Sequence, residues 1–216
     1  MNVIELCNYL LKQGKRDEFI QYFKKHFVQS QNEIGAYTPG LFSIKDEENR
    51  FFWIRGFDNM RERSRFLPAF YGGEVWKKFG PAANDMMLEW HDVYLIKPAS
   101  ANADTFSKGF LAIDYYTAKD NQLTRLIDFF NREYIPFLHE RNIKTTLWVS
   151  EMEENDFPRL PVYQNKNQLI VVTGFNNEKE FEISFAALTS LKPELTAGIE
   201  QLVENRNRLL LYREEE

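Results

Sequence analysis

The chain has 216 residues, of which 44% are hydrophobic and 15% aromatic, and its formal net charge is −5. This composition argues against intrinsic disorder, and the scattering of lysine and arginine among carboxylates argues against nucleic acid as a partner. One cysteine, Cys7, excludes an intramolecular disulfide and a multi-cysteine zinc site, and no apolar run is long enough to span a bilayer, so we expect a cytoplasmic protein with no membrane partner.

The first half of the chain alternates strand and helix patterns. Phe19, Phe23 and Phe27 recur at four-residue spacing, which is typical of the buried face of a helix. In chain order the sequence predicts a strand at 4–9, that helix, strands at 41–44 and 49–57, helices at 60–70 and 74–87, and a closing strand at 93–96.

The second half follows the same order. It predicts a strand at 111–116, a helix that carries Leu123 to Tyr134, strands at 145–149 and 167–175, helices at 178–189 and 193–206, and a closing strand at 209–212. The connection 151–164 contains Pro158 and Pro161, so we expect no helix across it.

One segment is repeated without gaps. Residues 49–57, NRFFWIRGF, align with residues 167–175, NQLIVVTGF, and each precedes a predicted helix start, at Asp58 in one copy and at Asn176-Asn177 in the other. We therefore expect Gly56 and Gly174 to occupy equivalent positions.

The element order is βαββαβ twice, which predicts an α+β fold of two tandem ferredoxin-like units. The predicted boundaries are 1–98 for the first unit, 99–108 for a linker and 109–216 for the second unit. Because one such sheet has helices on only one face, the units are expected to pack sheet to sheet as a pseudo-dimeric α/β barrel.

Several segments resemble the NIPSNAP family of the dimeric α/β-barrel superfamily. They are residues 70–77 (FYGGEVWK), the strand 52–57, the opening 5–9 with Gly14-Lys15, and residues 157–162 (FPRLPV). The resemblance implies the barrel fold. It leaves the activity open, because the superfamily includes cofactor-free monooxygenases, isomerases, haem peroxidases and proteins of no known activity. Trp90-His91 and Pro81 depart from the family's pattern.

Strand alternation predicts that Glu5, Cys7 and Tyr9 share a sheet face with Trp53 and Arg55, opposite the face that packs on the helices. Arg55 could bind an anionic substrate in bidentate fashion, or it could form a structural pair with Glu5. The matching strand positions of the second half are Val171 and Thr173, so we expect any site to lie in the first half.

Tyr71, Trp76 and Lys77 surround Gly72-Gly73. They are interpreted either as core and turn residues or as the rim of a pocket between sheet and helices. His26 lies at the edge of the apolar face of the first helix. It is interpreted either as a solvated or singly hydrogen-bonded histidine or as a general base or haem ligand.

The sequence contains no histidine pair with metal-ligand spacing, no nucleophile elbow and no dinucleotide-binding glycine motif. We therefore predict no metal and no cofactor. The predicted function is binding or transformation of a small aromatic or anionic molecule, as a cofactor-independent oxygenase or isomerase; the alternative is a non-catalytic interaction scaffold. A homo-oligomer is compatible with either function. The candidate residues are His26, Arg55 and Tyr9 for catalysis, and Glu5, Trp53, Tyr71, Trp76 and Lys77 for substrate binding.

Overall fold

The computed structural model describes residues 1–99 and 105–214. Part of the predicted linker, residues 100–104, lies outside the described residues. The chain divides into two compact units. Unit one comprises Met1–Lys97 and Glu151–Gln164 with the C-terminal end, and unit two comprises Pro98–Ser150 and Asn165–Arg213.

Unit one contains four strands and their helices. They are β1 (Val3–Leu11), α1 (Arg16–Phe23), a π-helical turn (Lys24–Val28), α2 (Gln29–Asn32), β2 (Tyr37–Ile44), β3 (Arg50–Phe57), α3 (Met60–Gly72), α4 (Glu74–Met86) and β4 (Met87–Pro98). β1 pairs with both β3 and β4, and β2 pairs with β3, all antiparallel.

Unit two has the same order of elements. They are β5 (Phe110–Ala118), α5 (Leu123–Phe129), a π-helical turn (Phe130–Tyr134), α6 (Ile135–His139), β6 (Lys144–Ser150), β7 (Gln168–Phe175), α7 (Glu178–Leu191), α8 (Pro193–Leu202) and β8 (Val203–Arg213). β5 pairs with β7 and β8, and β6 pairs with β7, all antiparallel.

The predicted α+β class is confirmed. The strand order is β4-β1-β3-β2 in unit one and β8-β5-β7-β6 in unit two, and all of these pairings are antiparallel. None of the helices in residues 1–99 and 105–214 has the length and apolar character needed to cross a membrane.

The repeated segment has the same local role in each unit. Gly56 lies opposite Ile4 in the β1–β3 pairing, and Gly174 lies opposite Leu111 in the β5–β7 pairing. At the other end of the repeat, the carbonyl oxygen of Asn49 accepts from the Leu11 amide, as that of Asn167 does from the Ala118 amide, each at 2.8 Å. The expected equivalence of these positions is therefore observed.

The assignment of strand faces was wrong. Cys7 and Tyr9 of β1 and Trp53 of β3 pack in one cluster with the helix residues Phe19 and Phe23, so the helices cover the face predicted to be opposite them. Both faces of these strands are apolar and buried, and a pattern that is apolar on both faces does not show which one the helices cover.

The end of α8 also differs from the prediction. The helix stops at Leu202, four residues before the predicted end, because β8 already pairs with β5 through Val203↔Ala118 and Arg206↔Tyr116. The connection Glu151–Gln164 contains no helix, as its prolines predicted.

The helices after the repeated segment are capped by Asn59 and Asn177. Asn59 lies one residue beyond Asp58, and Asn177 is the second of the predicted asparagines. Each asparagine side chain accepts a hydrogen bond at 3.0 Å from the amide three residues later, that of Glu62 or of Glu180. Each satisfies one of the amides that the first helical turn leaves without an intrahelical partner.

Replacing Asn59 or Asn177 by Ala should lower the free energy of unfolding by about 1 kcal/mol, because the capping acceptor is lost. Urea denaturation monitored by circular dichroism measures the change. Asp at the same position keeps the acceptor and is the matched control. An Asn59→Ala variant as stable as Asn59→Asp would contradict the capping role.

Candidate ligand-binding site

Unit one contains a cavity of about 370 Å³, a size typical of small-molecule sites. Ten of its sixteen lining residues are aromatic, so its wall suits a planar apolar ligand. We call it the ring cavity; it is lined by Tyr9, Phe19, Phe23, Phe27, Gln31, Trp53, Phe70, Tyr71, Trp76, Ala83, Asn84, Met87, Trp90, Phe157, Arg159 and Leu160.

The first helical segment supplies one wall. The four-residue spacing of Phe19, Phe23 and Phe27 places all three side chains toward the sheet, where they are buried. Phe23 packs on the Trp53 ring of β3 with ring centroids 4.8 Å apart, and Phe27 packs on Trp76 at 5.5 Å. The helix therefore fixes the rings on two sides of the cavity.

The turn between α3 and α4 supplies a second wall. A Cβ atom at Gly73 would lie 2.7 Å from the carbonyl oxygen of Ala69 in the last turn of α3, so the tight turn that ends this helix favours glycine there. This turn brings Tyr71 and Trp76 into edge-to-face contact at 4.8 Å. Both residues line the ring cavity.

The third wall is the connection Glu151–Gln164, which we call the cap loop. Phe157 of this loop stacks on Tyr71 with ring centroids 5.7 Å apart, and Leu160 is buried in the same core. Asn155 shapes the loop, because its side-chain amide donates to the carbonyl oxygen of Leu160 at 2.9 Å and its oxygen accepts from Arg63 at 2.9 Å.

A buried charge cluster lies behind the cavity wall. We call Glu5, Arg55 and Arg63 the arginine–glutamate triad; all three side chains are fully buried. Arg55 Nε donates to Glu5 Oε2 at 2.6 Å, and Arg63 Nε donates to Glu5 Oε1 at 2.8 Å. Burial alone would raise the pKa of Glu5, but the two guanidinium groups lower it below its ordinary value.

The triad contacts the cavity wall through Arg55. Its guanidinium carbon lies 5.0 Å from the Trp53 ring centroid and 5.9 Å from that of Tyr71. Arg55 Nη1 donates to Gln31 Oε1 at 3.0 Å. Because the amide oxygen of Gln31 accepts from Arg55, its NH2 group is the part of the side chain that can donate to a ligand in the cavity.

The polar groups of the wall are hydrogen-bond donors. The Trp53 indole nitrogen is buried and makes no hydrogen bond of good geometry within the described residues. Burial raises the pKa of the Tyr9 phenol well above its ordinary value, and burial also raises the pKa of Tyr71, so both phenols stay protonated at neutral pH. A bound ligand would meet N–H and O–H groups in an apolar surround.

Three exposed residues line the outer part of the cavity: Asn84, Trp90 and Arg159. Arg159 comes from the cap loop, and the described residues offer it no ion pair. A cation at this position can attract an anionic group of an entering ligand.

The structure brings four of the eight predicted residues together in the ring cavity: Tyr9, Trp53, Tyr71 and Trp76. Glu5 and Arg55 lie in the triad, which favours the structural-pair interpretation. His26 and Lys77 do not line the cavity: the His26 ring stacks on Phe79 at 3.9 Å, and Lys77 pairs with Glu74 at 2.9 Å on the surface. The functional roles given to these residues stay predictions.

Sequence reasoning missed Gln31, Arg63 and the cap-loop residues Phe157 and Arg159. Arg63 was within reach, because it is an arginine four residues after the helix cap Asn59, among apolar positions of α3. The cap-loop residues carried no such signal, since they lie about 90 residues further along the chain.

In unit two the pocket between sheet and helices has a volume of only about 20 Å³. A larger depression of about 460 Å³ lies along α7, but five of its seven lining residues are polar and none is aromatic. The buried carboxylate of unit two, Asp114, is paired with Arg206 and Arg208 of β8 at 3.0 and 2.8 Å. The second half therefore also pairs two arginines with one carboxylate. The pocket beside this cluster is almost completely filled by side chains.

No family model and no curated protein matches the sequence. Solved structures do match. A provisionally assigned monooxygenase from Lactobacillus acidophilus NCFM has 15% identity and a TM-score of 0.67, with 99% of this chain and 94% of that chain covered. An anthrone oxidase-like protein has 8% identity and a TM-score of 0.67, with 99% and 92% covered. At these identities the likeness shows the fold alone.

NIPSNAP proteins are also among the similar structures, as the sequence resemblance predicted. An uncharacterised NIPSNAP domain protein from Burkholderia xenovorans has 17% identity and a TM-score of 0.43, with 47% of this chain and 99% of that chain covered. This partial match is too weak to carry a functional comparison.

The triad predicts an order of stability among variants. Glu5→Gln should cost about 3–5 kcal/mol, because it leaves two buried guanidinium groups without a carboxylate. Arg55→Met should cost less, about 1–3 kcal/mol, because Arg63 still pairs with Glu5. Adding Glu5→Gln to Arg55→Met should not restore stability, since Arg63 would then lose its partner. Guanidinium chloride unfolding measures all three variants, and a rescue in the double variant would contradict the pairing with Arg63.

The same carboxylate predicts part of the pH dependence. Its pKa is lowered in the folded state, so its contribution is present above the ordinary value of 4.5 and is lost as pH falls through the lowered folded value. Wild type should therefore lose more stability than Glu5→Gln on acidification below pH 4.5. Parallel acid titrations followed by denaturant melts give the comparison; equal losses would show that Glu5 is not charged in the folded protein.

Proposed function

We propose that the protein binds a small aromatic molecule in the ring cavity of unit one and transforms it without a bound cofactor. The observation that carries this proposal is the cavity of about 370 Å³ with ten aromatic lining residues and a few donors among them. A core built only for stability would be filled to native density, because an empty volume of this size loses packing contacts.

Of the two predicted reaction classes, we propose oxygenation. Isomerisation by proton abstraction needs a base within reach of the substrate. The described residues that line the cavity include neither a carboxylate nor an imidazole, and burial keeps the Tyr9 and Tyr71 phenols protonated. Oxygenation needs no base in the cavity when the substrate has already given its proton to water and binds as its enolate. The reaction of such an activated aromatic methylene with dioxygen then gives a carbonyl and water, which balances atoms and electrons without an added reductant.

We also propose that the two halves, 1–98 and 109–216 with the linker 99–108, are tandem ferredoxin-like units packed sheet to sheet, and that the first half holds the site. The equivalent positions of Gly56 and Gly174 and the two matching asparagine caps support a duplication. The difference between the two cavities supports specialisation of the first half.

The alternative, an interaction scaffold, has one observation in its favour. Helix α7 of unit two exposes Ile183, Phe185 and Leu191, with Ile183 and Leu191 each 62% exposed. Exposed apolar side chains suit a protein partner. They belong to unit two, whereas the ring cavity belongs to unit one.

Ligand binding can be tested by filling the cavity. Ala83 lines it and is buried, so Ala83→Phe should place a ring in the space and weaken binding of 2-naphthol at least tenfold. Three of the four tryptophans line the cavity, so quenching of intrinsic fluorescence reports binding. Ala186→Phe, at an exposed position of α7, is the matched control. Equal affinity of Ala83→Phe and wild type would refute the assignment of the site.

Oxygenation can be tested with anthrone, an aromatic methylene compound, in air-saturated buffer. We expect consumption of dioxygen and a product that has gained one oxygen and lost two hydrogens, identified by mass spectrometry. The rate above the uncatalysed background should fall with Ala83→Phe and not with Ala186→Phe. Tight binding without dioxygen consumption, over a panel of such substrates, would retain the binding site and exclude the oxygenase.

A further inference from the structure

The arginine–glutamate triad has an excess of positive charge. Two guanidinium groups share one carboxylate, and all three side chains are fully buried. The nearest further carboxylate, Asp156, is 4.0 Å from Arg63 Nη1 and is half exposed, so water screens much of its charge. Buried charge without a partner is costly, and a structure retains it only where something offsets the cost.

This excess charge adjoins the ring cavity. Three residues in direct contact with the Arg55 guanidinium line the cavity: Gln31, Trp53 and Tyr71. Of the two arginines, Arg63 is turned toward the cap loop, where Asn155 and Asp156 receive it. Arg55 therefore contributes its field on the cavity side of the cluster.

The other charged and titratable groups around this wall do not cancel that field. They are Glu5, Cys7 and Tyr9 on β1, Arg63 and Tyr71 on α3, and Asp156 and Arg159 on the cap loop. The negative charge of Glu5 balances one of the two arginines, so one positive charge of the triad is left over. Cys7, Tyr9 and Tyr71 are uncharged at neutral pH, because burial raises the pKa of each. Arg159 adds a second positive charge at the outer part.

We propose that the ring cavity takes its aromatic ligand in the ionised form, as a phenolate or enolate whose oxygen faces Trp53 and Gln31. This inference rests on the proposed function and names the substrate class of that site. The buried indole N–H of Trp53 makes no hydrogen bond of good geometry within the described residues, and the Gln31 amide is oriented by Arg55. The indole N–H and the Gln31 NH2 group can both donate a hydrogen bond to an oxyanion. Neither group can accept the proton of a neutral hydroxyl.

Two opposing effects decide whether the ionised form is preferred. Removal from water disfavours an anion in an apolar cavity. Against this, the anion is attracted to Arg55. Over roughly 8 Å and at an effective dielectric constant of about 20, the energy of this attraction is larger than the free energy of a tenfold binding preference. The donors add charge-assisted hydrogen bonds in the same direction. We therefore expect the anion to bind at least about tenfold more tightly than the neutral phenol.

The test uses 4-nitrophenol, whose phenolate absorbs at longer wavelength than the phenol, and its O-methyl ether 4-nitroanisole, which cannot ionise. With the full-length wild-type protein, the bound phenol should ionise at a pH at least about one unit below that of the free phenol, which corresponds to the tenfold preference. The phenolate should also bind more tightly than the ether. These wild-type measurements do not depend on any variant folding.

Arg55→Met then identifies the source of the effect. It leaves Glu5 paired with Arg63, and it should reduce the affinity ratio of phenolate to ether to near one. The matched control is Arg206→Met in unit two, which also removes one arginine of a two-arginine pair and leaves Asp114 paired with Arg208. The control should keep the wild-type ratio.

The outcomes separate the two proposals. If neither probe nor 2-naphthol binds, the proposed function fails. If the probes bind but the bound phenol ionises at the same or a higher pH than the free phenol, binding stands and the inference is overturned. If Arg55→Met still binds the phenolate more tightly than the ether, the triad is not the source of the preference, and the inference that Arg55 selects the ionised ligand is overturned.

Discussion

The Glu5 carboxylate, fully buried between Arg55 and Arg63, is the interaction on which unit one depends most. It joins β1, β3 and α3, and through Arg63 and Asn155 it reaches the cap loop. A buried carboxylate is stable only with its partners in place, so these elements must assemble together or leave charge unpaired. These elements carry four of the cavity's aromatic rings, Tyr9, Trp53, Tyr71 and Phe157, and the first helical segment packs on them through Phe23 and Trp53.

The cavity and the triad are two aspects of one arrangement. Aromatic side chains give a surface that holds a flat molecule, but such a surface alone does not distinguish one ring from another. Selectivity comes from the few polar atoms among the rings and from the charge just behind them. In the proposed complex the Trp53 indole and the Gln31 amide would both donate hydrogen bonds to the ligand, and both contact the Arg55 guanidinium. Unit two shows the contrast, since there a similar cluster at Asp114 lies beside a core with almost no free volume.

Much of the architecture could be read from the sequence, because it is expressed in local patterns. The repeat of residues 49–57 at 167–175 and the spacing of Phe19, Phe23 and Phe27 predicted the strand ends and the buried helix face. The strand faces could not be assigned, because both faces of β1 and β3 are apolar. For the site, the aromatic residues were found where their type and turn context showed them. Arg63 was missed although its place among apolar positions of α3 was a local signal. The cap loop was missed because its contacts with Tyr71 and Arg63 join positions far apart in the chain, which no local pattern records.

The cap loop has a consequence for how the protein is made. A chain leaves the ribosome from its N-terminus, and its first domain generally begins to fold before the rest is synthesised. Residues 1–97 can form their strands and helices at that stage, but Phe157 and Leu160 are not yet present to cover Tyr71 and the rings beside it. Until the later segment emerges, the nascent first half therefore exposes an apolar aromatic surface, and Arg63 lacks its hydrogen bond to Asn155. A chaperone that shields aromatic surfaces would act in this interval, and a pause in translation before residue 151 would lengthen it.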